Sequence, residues 1–313
     1  MKIDDIYSKY ISDTVKSINS LGGGHINDTY VIDTAGGRYI CQRISRGIDT
    51  VKLEYNYNLY SKACDEYDWL YPAMLKTAEG DYFVTDEDGD KWRAYRCIEG
   101  GIINPPFKKD DLYACGVGLA KMHKILSTLT EEPKANYPHL HDLKYYYDIY
   151  LKMKNSDDIC EENRDIFLES VIDNKFNEMP YYKAESTAVV HGDTKLANII
   201  LNKGEVVAFI DFDTIMMGSK LEDIADCVRS ASLRDRTFDK TAAEILVDGY
   251  LNTAPEEVGD EVMKNLPDAF NKICFELGLR YYMDALSKEK VFKEKYPGFR
   301  IDNAKRLLSV SWE

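Results

Sequence analysis

The sequence predicts an α+β protein with two lobes, a small antiparallel-sheet lobe followed by a larger, mainly helical lobe. Three observations predict this class. The first hundred residues contain short strand-like runs separated by turn residues. Beyond residue 110, apolar residues recur every three or four positions, which is typical of helices. The chain has 313 residues, a length that suits about two domains or lobes.

Two hairpins and one helix are predicted in the first lobe. Turn residues between apolar runs indicate the hairpins: Gly36 and Gly37 lie in the first turn, and the second turn, 86–90, is acidic apart from one glycine. Between the hairpins, apolar side chains at helical spacing indicate the helix. The predicted segments are 30–32 paired with 38–44, the helix over about 49–65, and 81–85 paired with 91–98.

Glycines and prolines mark the boundary between the lobes. Glu99-Gly100-Gly101 and then Pro105-Pro106 break both the strand and the helix periodicity. We therefore expect an N-lobe over 1–98, a hinge over 99–104 and a C-lobe over 105–313.

The second lobe is predicted to be helical with one internal hairpin. Asp110 and Asp111 are expected to cap its first helix, in which apolar residues recur as far as Leu126. Further helices are predicted near 142–154, 161–177, 222–232, 236–251 and 269–286. Two apolar runs, 198–201 and 206–210, flank a turn at 202–205 and predict the hairpin.

Composition excludes several classes of protein. With 40 basic and 54 acidic residues the net charge is −14, which opposes general binding to nucleic acid or anionic lipid. The chain contains no apolar leader and no run of about 18 apolar residues, so neither secretion nor a membrane span is expected, and a cytoplasmic location follows. Seven cysteines without a Cys-x-x-Cys pair are expected to be buried thiols.

The sharpest motif runs from His191-Gly192-Asp193 to Asn198 and continues at Asp211 after the predicted hairpin. Phosphoryl transfer needs a carboxylate near the attacking hydroxyl and oxygen ligands for magnesium. Asp193 can supply the first, and Asn198 and Asp211 the second, because the short turn returns Asp211 to the same place. The alternative is that both aspartates are ordinary turn residues, but the combined spacing favours a site.

A glycine-rich segment precedes the first predicted hairpin. Gly22, Gly23 and Gly24 permit close approach of backbone N–H groups to phosphate oxygens, and Asn27 and Thr29 follow them. The segment matches neither a P-loop nor a Rossmann fingerprint. A hairpin that covers phosphates is one interpretation, and an ordinary turn is the other.

Arg43 is the candidate cation for pairing with those phosphates. It lies at the end of the second strand of the first hairpin, and Glu54 on the following helix is a possible partner. A strand lysine and a helix glutamate form such a pair in protein kinases. The alternative is that Arg43 is a solvated strand charge.

Together these motifs resemble the aminoglycoside phosphotransferase and choline kinase superfamily, which has a protein-kinase-like fold. The resemblance implies that Asp193 is the catalytic base-like carboxylate, that Asn198 and Asp211 bind Mg²⁺, and that ATP is the donor. It also implies that the glycine segment covers the ATP phosphates. Backbone from Arg96 through Ile98 to Glu99 is then expected to hold adenine.

A narrower similarity is to the N-acetylhexosamine 1-kinases of that superfamily. It rests on the segment from Gly24 to Tyr30, on 39–44, and on the run that continues from Asp211 to Arg229. Three positions depart from the pattern: Gly192 and Met217 replace an expected asparagine and proline, and Arg43 replaces the kinase lysine. Contacts with the sugar or its surroundings are expected from Asp28, Asp213, Asp226 and Arg229, whereas His123 is expected to serve packing.

The expected function is therefore transfer of the γ-phosphoryl group of ATP to a small molecule, with the anomeric hydroxyl of an N-acetylhexosamine as the preferred acceptor. An aminoglycoside, choline or a homoserine-like alcohol is the alternative within enzymes. From a different class, the chain could be a pseudokinase that holds a nucleotide without turnover. Asp193, Asn198 and Asp211 together argue against the last reading, and Arg43 is its one support.

Overall fold

A five-stranded antiparallel sheet forms the first part of the computed structural model, which describes residues 3–21, 28–179, 188–255 and 259–312. The strands are ordered β1-β2-β3-β5-β4, with one short and one long helix against them. The elements are α1 (Ile3–Tyr7), β1 (Val15–Ser20), β2 (Thr29–Thr34), β3 (Arg38–Arg43), α2 (Thr50–Glu66), β4 (Val84–Thr85) and β5 (Lys91–Arg96).

The two faces of this sheet have different surroundings. Gln42 pairs with Arg93 and Arg43 pairs with Trp92 across β3 and β5, and neighbouring residues of a strand point to opposite faces. Trp92 belongs to a small cluster with Ile6 of α1 on the outer face. The inner face, which carries Gln42 and Arg93, is turned toward the second part of the chain.

Helices dominate the second part, and three short two-stranded sheets lie among them: β6 with β9, β7 with β8, and β10 with β11. The elements are α3 (Lys109–Leu126), α4 (Leu143–Lys154), α5 (Ile166–Glu178), β6 (Ala188–Val190), β7 (Ile199–Asn202), β8 (Glu205–Phe209), β9 (Met216–Gly218), α6 (Lys220–Ser232), β10 (Leu233–Arg234), β11 (Thr237–Phe238), α7 (Lys240–Leu251), α8 (Gly259–Leu286) and α9 (Phe299–Leu308).

The segment that joins the lobes is tied to β7. Gly101 and Leu201 exchange two backbone hydrogen bonds, each 2.9 Å from nitrogen to oxygen. Gly100 has φ +135°, and a Cβ there would lie 2.4 Å from the carbonyl oxygen of Leu201. Only glycine lets the chain pass this close to the strand.

The main core crosses the boundary between the lobes. Tyr57 and Tyr60 of α2 and Tyr95 of β5 belong to the same buried cluster as the helices of the second lobe. Tyr60 stacks on Phe212 with 4.4 Å between ring centroids. The inner half of the N-lobe therefore shares its packing with the C-lobe.

The predicted fold class is confirmed, and most predicted elements are present. Helix α8 is longer than the predicted 269–286, because it begins at Gly259 and runs through Pro267. Lys108, without a side-chain hydrogen bond, occupies the position before α3, so the predicted cap at Asp110 and Asp111 is wrong; both lie in the first turn, where negative charge suits the helix dipole. Elements α1, β1, β6, β9, β10, β11 and α9 were not predicted.

The cysteines are all free thiols. Five are buried, but Cys97 and Cys160 are only partly so. In the part of the chain that the structure describes, no helix is both long and apolar enough to cross a membrane.

Candidate active site

The segment 191–198 connects β6 to β7 and is called the catalytic loop below. Its central residue is Asp193, whose side chain is 27% exposed. The Asp193 carboxylate pairs with Lys195 and accepts a hydrogen bond from Asn198 Nδ2 at 3.0 Å. Burial alone would raise the pKa of Asp193, but Lys195 and other positive groups lower the pKa below its usual value. Asp193 is therefore an anion that can accept a proton.

Asp223 of α6 holds the start of this loop. Its carboxylate accepts hydrogen bonds from the backbone N–H groups of His191 at 2.9 Å and Gly192 at 2.8 Å. His123 of α3 donates a third at 3.1 Å, and Thr194 donates to the Asp223 carbonyl. Burial works against the charge on Asp223, but these partners lower its pKa. The loop conformation is thus set by a buried anion on a helix.

The His191 ring links the catalytic loop to the end of β8. Its Nδ1 accepts from the backbone N–H of Asp193 at 3.2 Å, so its Nε2 donates to the carbonyl of Ile210 at 3.0 Å. The backbone N–H of Ile210 donates to the carbonyl of Asn198 at 2.9 Å. These contacts bring Asp211, the next residue, beside Asn198.

Asp211 has a left-handed backbone with φ 67° and a side chain that is 33% exposed. Burial raises the pKa of its carboxyl, and the neighbouring carboxylates of Asp213 and Asp193 raise it further. Within the described residues no group donates a hydrogen bond to the Asp211 carboxylate. The site therefore concentrates negative charge at Asp211.

A divalent cation fits this arrangement. Asn198 Nδ2 donates to both the carbonyl and the carboxylate of Asp193, and no described residue donates to the Asn198 Oδ1 atom, which can therefore serve as an oxygen ligand. The Asp211 carboxylate is a second oxygen donor, and a cation there would relieve its repulsion with Asp213 and Asp193. Oxygen donors of this kind suit Mg²⁺, which keeps several ligands from water or phosphate.

Arg93 of β5 was not predicted, and it is the cation that the N-lobe sheet directs toward this site, in addition to Lys195 of the catalytic loop. Its guanidinium donates to both Asp213 oxygens at 2.5 and 2.8 Å and lies 4.0 Å from Asp211. Gln42 Oε1 accepts from the other side at 2.8 and 3.1 Å. The available signal was an arginine between Trp92 and Ala94 in the predicted strand 91–98.

The predicted pairing of Arg43 with Glu54 is wrong. Arg43 lies on the outer face of the sheet and pairs with Asp28 at 2.6 Å and Asp90 at 3.2 Å. Glu54 is exposed on α2 and has no ion pair among the described residues. The cause is the alternation of strand side chains, which turns Gln42 rather than Arg43 toward the cleft.

The other predicted nucleotide contacts lie in three places. Gly22, Gly23, Gly24 and Asn27 are outside the described residues, and Thr29 begins β2 opposite Gln42. The Arg96 side chain is exposed and lies over the ring of Tyr39, so it points to the outer face. At the hinge, the backbone N–H of Ile98 has no hydrogen-bond partner in the described part of the chain.

The residues predicted for the acceptor are engaged with protein partners. Asp28 pairs with Arg43 and with Lys293 of the α8–α9 connection, the latter at 2.7 Å. Both Asp213 oxygens accept from Arg93. Asp226 pairs with Arg229 at 2.9 Å.

One oxygen near the catalytic loop lacks a partner. Asp226 Oδ2 is buried and has no hydrogen-bond donor within the described residues. Lys195 and His141 interact electrostatically with the Asp226 carboxylate, which indicates that it lies near the catalytic loop. A donor group on a bound molecule would satisfy this oxygen.

His141 was also not predicted. It has a left-handed backbone with φ 63°, and its Nε2 donates to the carbonyl of Gly192 at 3.2 Å. Its Nδ1 lies 3.4 Å from a carboxylate oxygen of Glu276. Burial disfavours the charge, but Glu276 overcomes it and raises the pKa of His141 to about 9. A cationic His141 therefore stabilises the catalytic loop through its hydrogen bond to the Gly192 carbonyl.

His123 is buried, as a packing role requires, but both of its ring nitrogens are hydrogen bonded, which was not predicted. It is 1% exposed, accepts from the Tyr250 hydroxyl at 2.9 Å through Nδ1 and donates to Asp223 through Nε2. It reaches the catalytic loop only through Asp223.

Solved structures support the fold. An amicoumacin kinase whose structure holds AMP-PNP and Ca²⁺ has a TM-score of 0.65 at 12% identity, covering 98% of this chain and 92% of that one. A microcompartment-associated aminopropanol kinase has a TM-score of 0.63 at 16% identity, covering 98% and 94%. A choline kinase from Streptococcus pneumoniae has a TM-score of 0.62 at 14% identity, covering 97% and 95%.

Sequence comparison identifies the family. A homoserine kinase from Neisseria meningitidis serogroup B is 23% identical over 252 residues, which are 76% of this chain and 74% of that protein. The model of the phosphotransferase enzyme family, APH, matches residues 17–260. That range includes the sheet, the hinge, the catalytic loop and Asp211. The chain is therefore a member of the APH phosphotransferase enzyme family.

Proposed function

We propose that this protein transfers the γ-phosphoryl group of ATP to a hydroxyl of a small molecule. We further propose that the acceptor is an N-acetylhexosamine and that its anomeric hydroxyl is phosphorylated. The observation that carries the proposal is the convergence of Asp193, Asn198 and Asp211 on one end of the β7–β8 hairpin. Family membership supports the reaction class.

Asp193 is the group that would handle the proton. It is ionised, partly exposed, and held by Asn198 and Lys195. In this role its carboxylate orients the attacking hydroxyl and accepts the proton as the new P–O bond forms. Because the loop is fixed by Asp223 and His141, little reorganisation is needed when an acceptor binds, and such positioning supplies much of the catalysis in phosphoryl transfer.

Asn198 and Asp211 would hold Mg²⁺, and the free N–H of Ile98 would receive the adenine. Mg²⁺, when bound, neutralises charge on the transferring phosphates. No cluster of three or more His, Cys, Asp or Glu side chains in the described residues is arranged to hold a metal alone. Phosphate and water oxygens would therefore complete the ligand set.

The acceptor is proposed from the sequence motifs and from the surroundings of Asp193. Asp226 and Arg229 of α6 form an ion pair near the catalytic loop. One carboxylate oxygen of Asp226 has no hydrogen-bond donor in the described residues. A sugar hydroxyl or amide N–H could donate to it. An anomeric hydroxyl is more acidic than other sugar hydroxyls, which suits a carboxylate base.

An amino alcohol such as homoserine is the second candidate. The observation that favours it is the homoserine kinase relative. An ammonium group would be a donor to the same oxygen of Asp226, as a sugar hydroxyl would be.

ADP release from Mg-ATP across a panel of acceptors tests the function. The panel contains N-acetylglucosamine, N-acetylgalactosamine, unacetylated hexoses, homoserine, aminopropanol, choline and an aminoglycoside. We expect turnover with N-acetylhexosamines, and a kcat lower by about 10²- to 10⁴-fold for Asp193→Asn, the usual effect of losing a general base. Asp110→Asn, a change at an exposed position of α3, is the control with unchanged turnover.

Each other result has a distinct meaning. Turnover with homoserine alone would keep the kinase mechanism and discard the sugar. Nucleotide binding without turnover of any acceptor would favour the pseudokinase alternative. Full activity of Asp193→Asn would contradict the assignment of the base.

A further inference from the structure

Arg93 is a buried arginine in the N-lobe sheet whose charged partners lie in the C-lobe. It is 3% exposed, and the carboxylate it binds is 120 residues away in sequence, at Asp213. Arginine presents a planar fork of donors, and two parallel hydrogen bonds fix a carboxylate in orientation as well as in position. The Asp213 carboxylate is therefore held by the N-lobe.

Gln42 fixes the guanidinium in turn. It occupies the cleft-facing position of β3, and its Oε1 accepts two hydrogen bonds from the edge of Arg93 that Asp213 leaves free. Arg93 also lies over the ring of Tyr95, 5.2 Å from the centroid. With both edges and one face occupied, Arg93 has a single arrangement.

Asp213 belongs to the one-turn 3-10 helix at Phe212–Thr214 that begins immediately after Asp211. Asp211 itself has a left-handed backbone, which is uncommon for residues other than glycine and persists where surrounding contacts enforce it. The Arg93–Asp213 pair and the stacking of Phe212 on Tyr60 are contacts of this kind. They hold the turn from the N-lobe side.

Arg93 also balances the charge of the site. Asp193, Asp211 and Asp213 are three carboxylates in proximity, and Asp213 is the principal negative neighbour of Asp211. Arg93 donates hydrogen bonds to both oxygens of Asp213 but lies 4.0 Å from Asp211, and no described residue donates a hydrogen bond to the Asp211 carboxylate. A carboxylate that binds a metal ion needs oxygens that no hydrogen-bond donor already occupies.

We propose that Arg93, supported by Gln42, is the positioning residue that fixes the Asp211 carboxylate for metal binding through Asp213. The inference rests on the proposed function, because it concerns the same metal site. It adds a residue and a connection between the lobes.

The test measures metal binding directly, by electron paramagnetic resonance of Mn²⁺ titrated into the full chain with AMP-PNP. Arg93→Met alone leaves Asp213 buried and unpaired, which is destabilising, so the decisive variant is the double change Arg93→Met with Asp213→Leu. Replacing both partners of a buried pair with apolar residues is often tolerated. We expect this variant to fold and to bind Mn²⁺ about tenfold or more weakly, as is usual when a group supporting a metal ligand is lost.

Two further variants separate positioning from general stability. Arg93→Lys keeps the charge but loses the fork, and we expect an intermediate Mn²⁺ affinity. Arg300→Met removes a guanidinium that is similarly buried, in an ion pair with Asp284, and is the matched control: it should lower the melting temperature without changing Mn²⁺ affinity.

Unchanged Mn²⁺ affinity in the folded double variant would overturn the inference and leave the pair a structural one. A wild-type chain that binds no Mn²⁺ with AMP-PNP would instead contradict the proposed function, and the inference with it. The two failures are distinguishable because one appears only in the variants.

Discussion

At the scale of single residues, His141 is the buried charge on which the catalytic loop depends. Its raised pKa, about 9 against an ordinary value of 6.5, means that the folded chain binds this proton more tightly than the unfolded chain. The resulting stabilisation is complete below about pH 6.5 and is lost as the pH rises through about 9. The groups that face it are the Gly192 carbonyl and the carboxylates of Glu276, Glu222 and Asp226.

We predict that the titration of His141 makes the melting temperature depend on pH. The melting temperature of the wild-type chain should fall more between about pH 6.5 and about pH 9.5 than that of His141→Gln, which cannot titrate. Thermal melts of both proteins at several pH values check it. Parallel pH profiles would mean that His141 is neutral in the folded state.

Residues were predictable where the chemistry is local in sequence. Asp193 and Asn198 share a loop, and a short hairpin returns Asp211 to them, so spacing was sufficient. Arg93 was not predictable because its partner Asp213 is 120 residues away, and a strand pattern does not reveal which distant carboxylate a buried arginine meets. His141 was not predicted for the same reason, because its partner Glu276 is also distant in sequence.

At the scale of elements, the catalytic loop turns sharply at Gly192. Its φ is +80°, and a Cβ would lie 2.7 Å from the carbonyl oxygen of Thr214. Gly204, in the β7–β8 turn, has a similar φ of +83° with nothing within 4 Å. A substitution at Gly204 therefore meets backbone strain alone, whereas a substitution at Gly192 meets backbone strain and a steric clash.

We expect Gly204→Ala to cost about 1–2 kcal/mol of unfolding free energy, the strain of a left-handed residue with a Cβ. Gly192→Ala should cost more and should also lower kcat, because the added Cβ displaces the loop. Gly192→Asn should also lose activity, because asparagine tolerates this backbone better but carries the same Cβ. Chemical unfolding and ADP release measure both effects; equal losses at the two glycines would contradict the steric argument.

Elements were predictable when their pattern was long. Helices α2 and α3 and the hairpin of β7 and β8 follow from periodicity and turns. The pairing of β6 with β9 joins two three-residue strands that lie on either side of the β7–β8 hairpin in sequence. A strand of three residues is too short to show an alternating apolar pattern. Helix α8 continues through Pro267 because packing against α6 and α9 outweighs the lost hydrogen bond.

At the scale of the whole molecule, the lobes share one buried cluster. A separate core for each lobe would allow two unfolding transitions, but the packing of α2 and β5 against the C-lobe favours one. Arg93 with Asp213, and Gly101 with Leu201, add polar contacts across the same boundary. We therefore expect the lobes to unfold together.

Tryptophan fluorescence tests this expectation. Trp92 lies in the outer cluster of the N-lobe, and Trp312 packs against Phe238 and Phe270 in the C-lobe. Two variants are made, each retaining one of these and having phenylalanine at the other tryptophans. In each, the fluorescence melt should coincide with the melt followed by far-UV circular dichroism; an earlier Trp92 transition would show an independent N-lobe.

The shared core also bears on how this family can be recombined. The hinge near residue 100 is the natural crossover when sequences are aligned, but it divides the chain and not the packing. A chimaera joined there would take one part of the shared buried cluster, with Tyr57, Tyr60 and Tyr95, from one parent and the other part from another. The two parts would not have been selected to fit. A graft that carried α2, β5 and the 212–214 turn together would keep that surface intact and exchange the remainder of the sheet.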